Sequence, residues 1–265
     1  MSTNNRKLIL TIIFFIFWAS MQLRAGIAVL NGLTHEMKLS PGEKMRGRIE
    51  LQNISEQGTA VRLFQTDYWF SHTGDTRYSH PGSSARSNAG WISLDQSFIT
   101  FQANETRSVE FEVDVPGTDS LTGTYWSVIL LEAINPPDTA NQKGMNINTV
   151  MRYAIQVITH IGETGTRDLQ FLNVTLRKED TGAVLDVDLE NPGERALRPE
   201  VGIELFNQEG VSQGIFRTDR RRIYPGTSAR FSIAISGVVP GKYSGVLVAD
   251  CDEDHVFGTN LTLEL

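Results

Sequence analysis

The chain states one pattern twice in the same order, and that repetition constrains its fold more than any other feature. Ile49-Glu-Leu-Gln-Asn53, followed by Ile54-Ser55, has a counterpart in Leu185-Asp-Val-Asp-Leu-Glu-Asn-Pro192. Each copy leads to an alternating strand, Val109, Phe111 and Val113 in one half and Phe231, Ile233 and Ile235 in the other. Each then reaches a glycine and a tyrosine, Gly123-Thr-Tyr125 or Gly241-Lys-Tyr243. Order-preserving similarity over about 100 residues predicts two copies of one β-sandwich module. Such a tandem molecule suits binding or scaffolding.

The amino end indicates where those modules work. Arg6 and Lys7 precede an uncharged apolar run from Leu8 to Met21, and Ala25 supplies a small residue for cleavage. Residues 1–25 therefore read as a secretory signal peptide. The competing reading is an uncleaved anchor, although the run is short of the roughly 20 residues that span hydrocarbon. The rest of the chain is expected to be exported, periplasmic or otherwise extracytoplasmic, with membrane contact only through the signal segment. Losing Arg6, Lys7 and Arg24 with that segment moves the net charge from −7 to −10. A negative body disfavours nonspecific binding to nucleic acid or anionic lipid. About 240 residues remain, enough for two domains of ordinary size.

Cys251 is the only cysteine, so no internal disulfide can form. Its surroundings, Val248-Ala-Asp-Cys-Asp-Glu-Asp-His255, hold thiol, carboxylate and imidazole groups that can all ligate zinc. The alternation Leu247, Ala249, Cys251 instead favours a buried strand residue followed by an acidic turn. No metal site is expected. His35, His72, His80, His160 and His255 lie in separate segments, without a nucleophile elbow, a phosphate loop or a paired-histidine helix. The chain is accordingly read as a non-enzyme with no catalytic residues and no cofactor. Arg217-Thr-Asp-Arg-Arg-Arg222 is the densest basic run and reads as a solvated stretch in preference to a grip on an acidic partner.

Period-2 alternation marks strands over Arg46–Gln52, Val61–Trp69, Tyr125–Leu131, Val184–Leu189 and Val201–Phe206. Ser40-Pro-Gly-Glu43 and Tyr224-Pro-Gly226 mark turns. Residues 71–90, rich in Ser, Gly, His and Arg, read as a long exposed loop, and Pro136-Pro137 excludes a central strand there. A β-rich run from Met145 to Thr159 closes the first module. Residues 162–167 read as a hinge, so that the modules occupy 26–161 and 168–265. Few stretches carry a helical period, and the fold class is all-β.

These features together resemble the periplasmic chaperones of pilus assembly. The resemblance is carried by Asn53-Ile-Ser55, the strand bounded by Trp91 and Val113, the proline-containing loop, the long strand with Arg152, and Leu189-Glu-Asn-Pro192. It implies two tandem immunoglobulin-like β-sandwich domains after the signal segment. It also implies that the last strand of the first domain completes an unfinished subunit by β-strand addition, alternate apolar side chains filling the client's groove. On this chain the implied client-binding residues are Met145, Ile147, Met151, Tyr153 and Ile155. Family members hold the client's terminal carboxylate with two basic residues in the interdomain cleft. Arg152 is the match for one, and Gly26–Leu39 offers no arginine for the other.

The resemblance implies a chaperone-like protein that binds pilus or other surface subunits and keeps them assembly-competent. The expected partner is an extracytoplasmic protein subunit, with an outer-membrane assembly pore as a further candidate and no nucleic acid. The alternative is a noncatalytic envelope interaction module of the same fold, binding a protein or cell-wall glycan.

Overall fold

The computed structural model describes residues 26–134, 151–179, 182–252 and 254–265. The expected signal peptide, the Pro136-Pro137 stretch, Met145 and Ile147 lie outside the described residues. The first half forms β1 (Ile27–Val29), β2 (Thr34–Leu39), β3 (Lys44–Asn53), β4 (Thr59–Phe70), β5 (Thr76–Ser79), β6 (Ile92–Leu94), β7 (Phe98–Phe101), β8 (Thr106–Asp114), β9 (Gly123–Ile134) and β10 (Arg152–Ile161). The second forms β11 (Gln170–Glu179), β12 (Gly182–Glu190), β13 (Glu200–Phe206), β14 (Ser212–Arg217), β15 (Ser228–Ile235), β16 (Lys242–Asp252) and β17 (His255–Glu264). Among the described residues the helical content is one 3-10 turn, Ala89–Trp91.

Each half is a two-sheet sandwich. The first packs the order β1-β3-β8-β6 against β2-β10-β9-β4-β5, with β7 also paired to β4. The second packs β11-β12-β15 against β14-β13-β16-β17. The repeated pattern sits at equivalent places: β3 pairs β8 with Ile49 opposite Val109, and β12 pairs β15 with Leu185 opposite Ile233. All four side chains are buried, each worth about 1.5–3 kcal/mol relative to exposure.

The two asparagines of the repeat also do one job. Asn53 is buried at the end of β3, donating its amide to the carbonyls of Gln57 and Gln102 while its oxygen accepts from the Ser55 N–H. Asn191, just past β12, donates to the carbonyls of Arg195 and Ile223 and accepts from the Gly193 N–H. In both modules the side chain substitutes for backbone partners where the strand ends, which keeps a buried turn satisfied.

Two expectations change. Residues 71–90 are not one exposed loop: Thr76–Ser79 pairs with β4, and Asn88 and Ala89 are buried. The cause is Asp67, a buried carboxylate that accepts from the N–H groups of Gly82 and Ser84 and the hydroxyls of Ser83 and Ser87. The basic run is not simply solvated either. Arg220 donates to the carbonyls of Arg198, Asp250 and Cys251, Arg221 lies over the Phe70 ring at 5.9 Å, and Arg222 pairs with Glu36. Cys251 is buried in the second core.

The modules meet over a shared apolar patch. Phe70, Trp126 and Ile158 of the first half belong to the same buried cluster as Val201, Leu205 and Leu247 of the second. The connection after β10 is tied on both sides: Gly162 donates to the Leu39 carbonyl, and Arg195 donates to the carbonyls of Gly162 and Thr164.

Candidate functional site

The outer face of the sheet β2-β10-β9-β4-β5 meets the second sandwich at one end through Trp126 and Ile158. Register orders its side chains in cross-strand rows. Moving toward the second sandwich the rows are Ala60 and Ile134; Arg62, Glu132 and Arg152; Phe64, Leu130 and Ala154; Thr66, Val128, Gln156 and Thr34; Trp126, Ile158 and Glu36; and Thr124, His160 and Lys38. The floor is apolar in the middle, between charged rows.

The edge of that sheet is half covered. β10 runs antiparallel to β9 along its whole length, but β2 lies beside it only from Gln156 to Ile161. The Gln156 N–H donates to the Leu33 carbonyl at 2.8 Å. Upstream of Leu33 the chain leaves for the other sheet, where Ile27–Val29 pairs with β3. Among the described residues no strand lies beside the outer edge of Arg152–Ile155. Backbone groups alternate edges along a strand. Arg152 and Ala154 therefore point their N–H and C=O groups outward like Gln156, whereas the Met151 carbonyl accepts from Ala133 on β9.

The expected client-binding residues divide at this point. Ile155 has no exposed surface and packs in its own sandwich core with Leu63 and Leu131. It cannot fill a client's groove. Tyr153 is a second correction: it packs against the same core and donates its hydroxyl to the Ile27 carbonyl at 2.7 Å. Met151 shares their alternation but stands at the rim, 47% exposed. Met145 and Ile147 lie outside the described residues.

Arg152 lies at the start of β10, six residues or about 20 Å from Ile158 and the second sandwich, so the carboxylate grip expected of it in the interdomain cleft is corrected, whereas its place beside the open edge is not. Its Nε donates to Glu132 at 2.7 Å, and Arg62 approaches the same carboxylate at 3.3 Å. At the cleft end His160 and Arg222 both hold Glu36, at 2.6 and 2.5 Å. The hydrogen bond from His160, reinforced by Arg222, brings the Glu36 carboxyl down to about 2 against the opposing effect of burial. Beside them Tyr224, pushed up to about 12 by burial, donates its hydroxyl to Gln156.

Arg62, Glu132, Glu36 and Arg222 carry no local signal in the sequence, because each acquires its partner only when distant strands align. The Glu36–Arg222 pair spans 186 positions. Among the described residues no group of three or more His, Cys, Asp or Glu side chains is placed to hold a metal ion.

No protein-family model matches the sequence, and no characterised protein matches it by sequence. Solved structures do match in shape. The class 5 fimbriae chaperone CfaA aligns at 8% identity over 89% of this chain and 98% of its own, with a TM-score of 0.49. The CsuC–CsuE chaperone–tip subunit pre-assembly complex of Acinetobacter baumannii Csu pili aligns at 14% identity over 88% and 98%, with a TM-score of 0.44. The E. coli chaperone DraB aligns at 10% identity over 91% and 98%, with a TM-score of 0.42. The likeness is one of overall shape at low identity, to a fimbriae chaperone, a pilus chaperone–subunit complex and a further E. coli chaperone.

Proposed function

We propose that the chain is an exported chaperone-like protein that binds pilus or other surface subunits by β-strand addition at β10 and keeps them assembly-competent. The observation that carries this reading is the outer edge of Arg152–Ile155, which no strand among the described residues covers and which is continuous with a ladder that β2 completes from Gln156 onward. A strand with unpaired backbone groups is a template for another chain. A client strand laid there gains main-chain hydrogen bonds from Arg152 and Ala154, and alternate side chains give the fit.

The inner-face alternation supports the same reading. Tyr153 and Ile155 anchor β10 in its own sandwich, Met151 stands at the rim, and in the sequence Met145 and Ile147 share its odd-even parity. On this reading Met145, Ile147 and Met151 form the row that fills the client's groove. The reading takes residues 1–25 as a cleaved signal, places the protein outside the cytoplasm, and divides it into modules 26–161 and 168–265 joined by 162–167. It requires no cofactor or nucleotide.

Affinity purification from the native envelope, with mass spectrometry of what copurifies, tests it. Wild type should bring down a recurrent sandwich subunit, and Ala154→Pro should bring down little of it. Proline is tolerated on an edge whose N–H faces outward, so the variant should melt like wild type. Equal recovery by a folded Ala154→Pro, or recovery of cell-wall material in place of a subunit, overturns the proposal.

A further inference from the structure

We infer that the strand captured at β10 carries an acidic residue opposite Arg152. The inference rests on the strand-addition reading and adds the chemistry of one position in the client. The row that crosses β4, β9 and β10 reads plus, minus, plus: Arg62, Glu132, Arg152. Glu132 is mostly buried, its side chain 16% exposed, and it serves both guanidinium groups, which leaves one positive charge over.

That excess is not met on the β4 side. Arg62 lies over the Phe64 ring, 5.2 Å from its centroid, and the residue opposite it on β7 is Phe98. Neither can neutralise a cation. On the β10 side Arg152 gives its Nε to Glu132, and its terminal nitrogens have no partner among the described residues. An arginine has five N–H donors in a fixed fork, so a second carboxylate can be served without losing the first.

The next place in the row is the open edge itself. A strand added there lies about 4.8 Å away, and its residue opposite Arg152 projects to the same outer face. Opposite charges at directly facing positions stabilise a sheet, and like charges destabilise it. Asp or Glu at that one position completes an alternating row of four. The neighbouring row presents Ala154, Leu130 and Phe64, which carry no charge, so the preference is confined to one register position. A slip of one residue turns the acid to the opposite face. The acid therefore selects the register of the client as well as its composition.

Synthetic strand peptides of about ten residues test this on the mature protein. Inward positions carry Val, outward positions carry Thr, and each outward position in turn is changed to Glu, Gln or Lys. Binding is read by fluorescence anisotropy. At one position the Glu peptide should bind about two- to fivefold more tightly than the Gln peptide, and the Lys peptide more weakly by a similar factor. The gap should narrow when salt is raised from about 0.05 M to about 0.5 M. Arg152→Gln should abolish the preference while leaving peptide binding, and Arg152→Glu should invert it. Thermal melts of both variants check that the fold is kept. Indifference to charge at every position, or a Glu preference that survives Arg152→Glu, overturns the inference while leaving strand addition intact. If no peptide binds, strand addition fails and this inference falls with it.

Discussion

Tyr224 of the second sandwich lies flat on Trp126 of the first, ring centroids 4.7 Å apart and planes 7° from parallel. Phe70 meets the same tyrosine edge-on at 6.1 Å. Stacked and edge-on pairs add about 0.5–1.5 kcal/mol beyond the area they bury. Because this cluster is continuous with the second core, loosening the joint also loosens the module behind it. Tyr224→Ala should lower stability to urea by about 3–5 kcal/mol. Tyr224→Phe keeps the stack and loses the hydroxyl bond to Gln156, and should cost about 1 kcal/mol. Equal effects of the two would show that the stack is unimportant.

Glu36 makes the joint sensitive to acid. Its carboxyl is brought from an ordinary value of 4.5 down to about 2 in the folded protein, chiefly by the hydrogen bond from His160. A depressed folded pKa stabilises the fold above the unfolded value, and the contribution is lost as pH falls toward the folded one. The stability gap between wild type and Glu36→Gln should therefore be flat above about pH 5, shrink below about pH 4.5 and close near pH 2. Urea midpoints across that range measure it. A gap unchanged at pH 3 would contradict the pairing.

Gly123 marks a close backbone approach between the modules. It has φ +75°, and a Cβ there would stand 2.2 Å from the Glu194 carbonyl oxygen. Backbone cannot retreat as a flexible side chain can. Gly123→Ala should cost about 1–3 kcal/mol from overpacking, with roughly another 1–2 kcal/mol for the left-handed conformation. The same change at Gly210, which has open space around it, should show the conformational cost alone. Chemical unfolding of the two variants separates the terms.

Asp67→Ala should release the segment from 80 to 88. Four donors converge on that carboxylate at 2.5–3.1 Å, and a hydrogen bond to a charged group is worth about 1.5–3 kcal/mol. Limited proteolysis should cut the variant within this segment at protease levels that spare wild type. An unchanged digestion pattern would mean that the short strand Thr76–Ser79 and buried Asn88 hold the segment without Asp67.

Much of the fold is legible in the sequence because local chemistry repeats where the structure repeats. Asn53 and Asn191 end equivalent strands with the same hydrogen bonds, and the alternations through Phe111 and Phe231 fall on strands that pair with them. The parity of β10 is legible too: Met151, Tyr153 and Ile155 do share a face. Where the strand crosses the rim of its own sandwich is not, since that depends on where β2 begins beside it, and so Ile155 proves to be core. The segment 71–90 reads as a loop because Ser and Gly signal turns, and nothing local shows that a buried carboxylate gathers them. The charged row of Arg62, Glu132 and Arg152 exists only through register.

Hydrogen exchange at single-residue resolution, on the chain alone and with a copurified subunit bound, tests strand addition at β10 most directly. The amides of Arg152 and Ala154 should exchange readily in the free chain and become protected on capture. The amides of Ile158 and His160, already laddered between β2 and β9, should change little. A bound subunit that leaves Arg152 and Ala154 exchanging at the free rate would contradict the account.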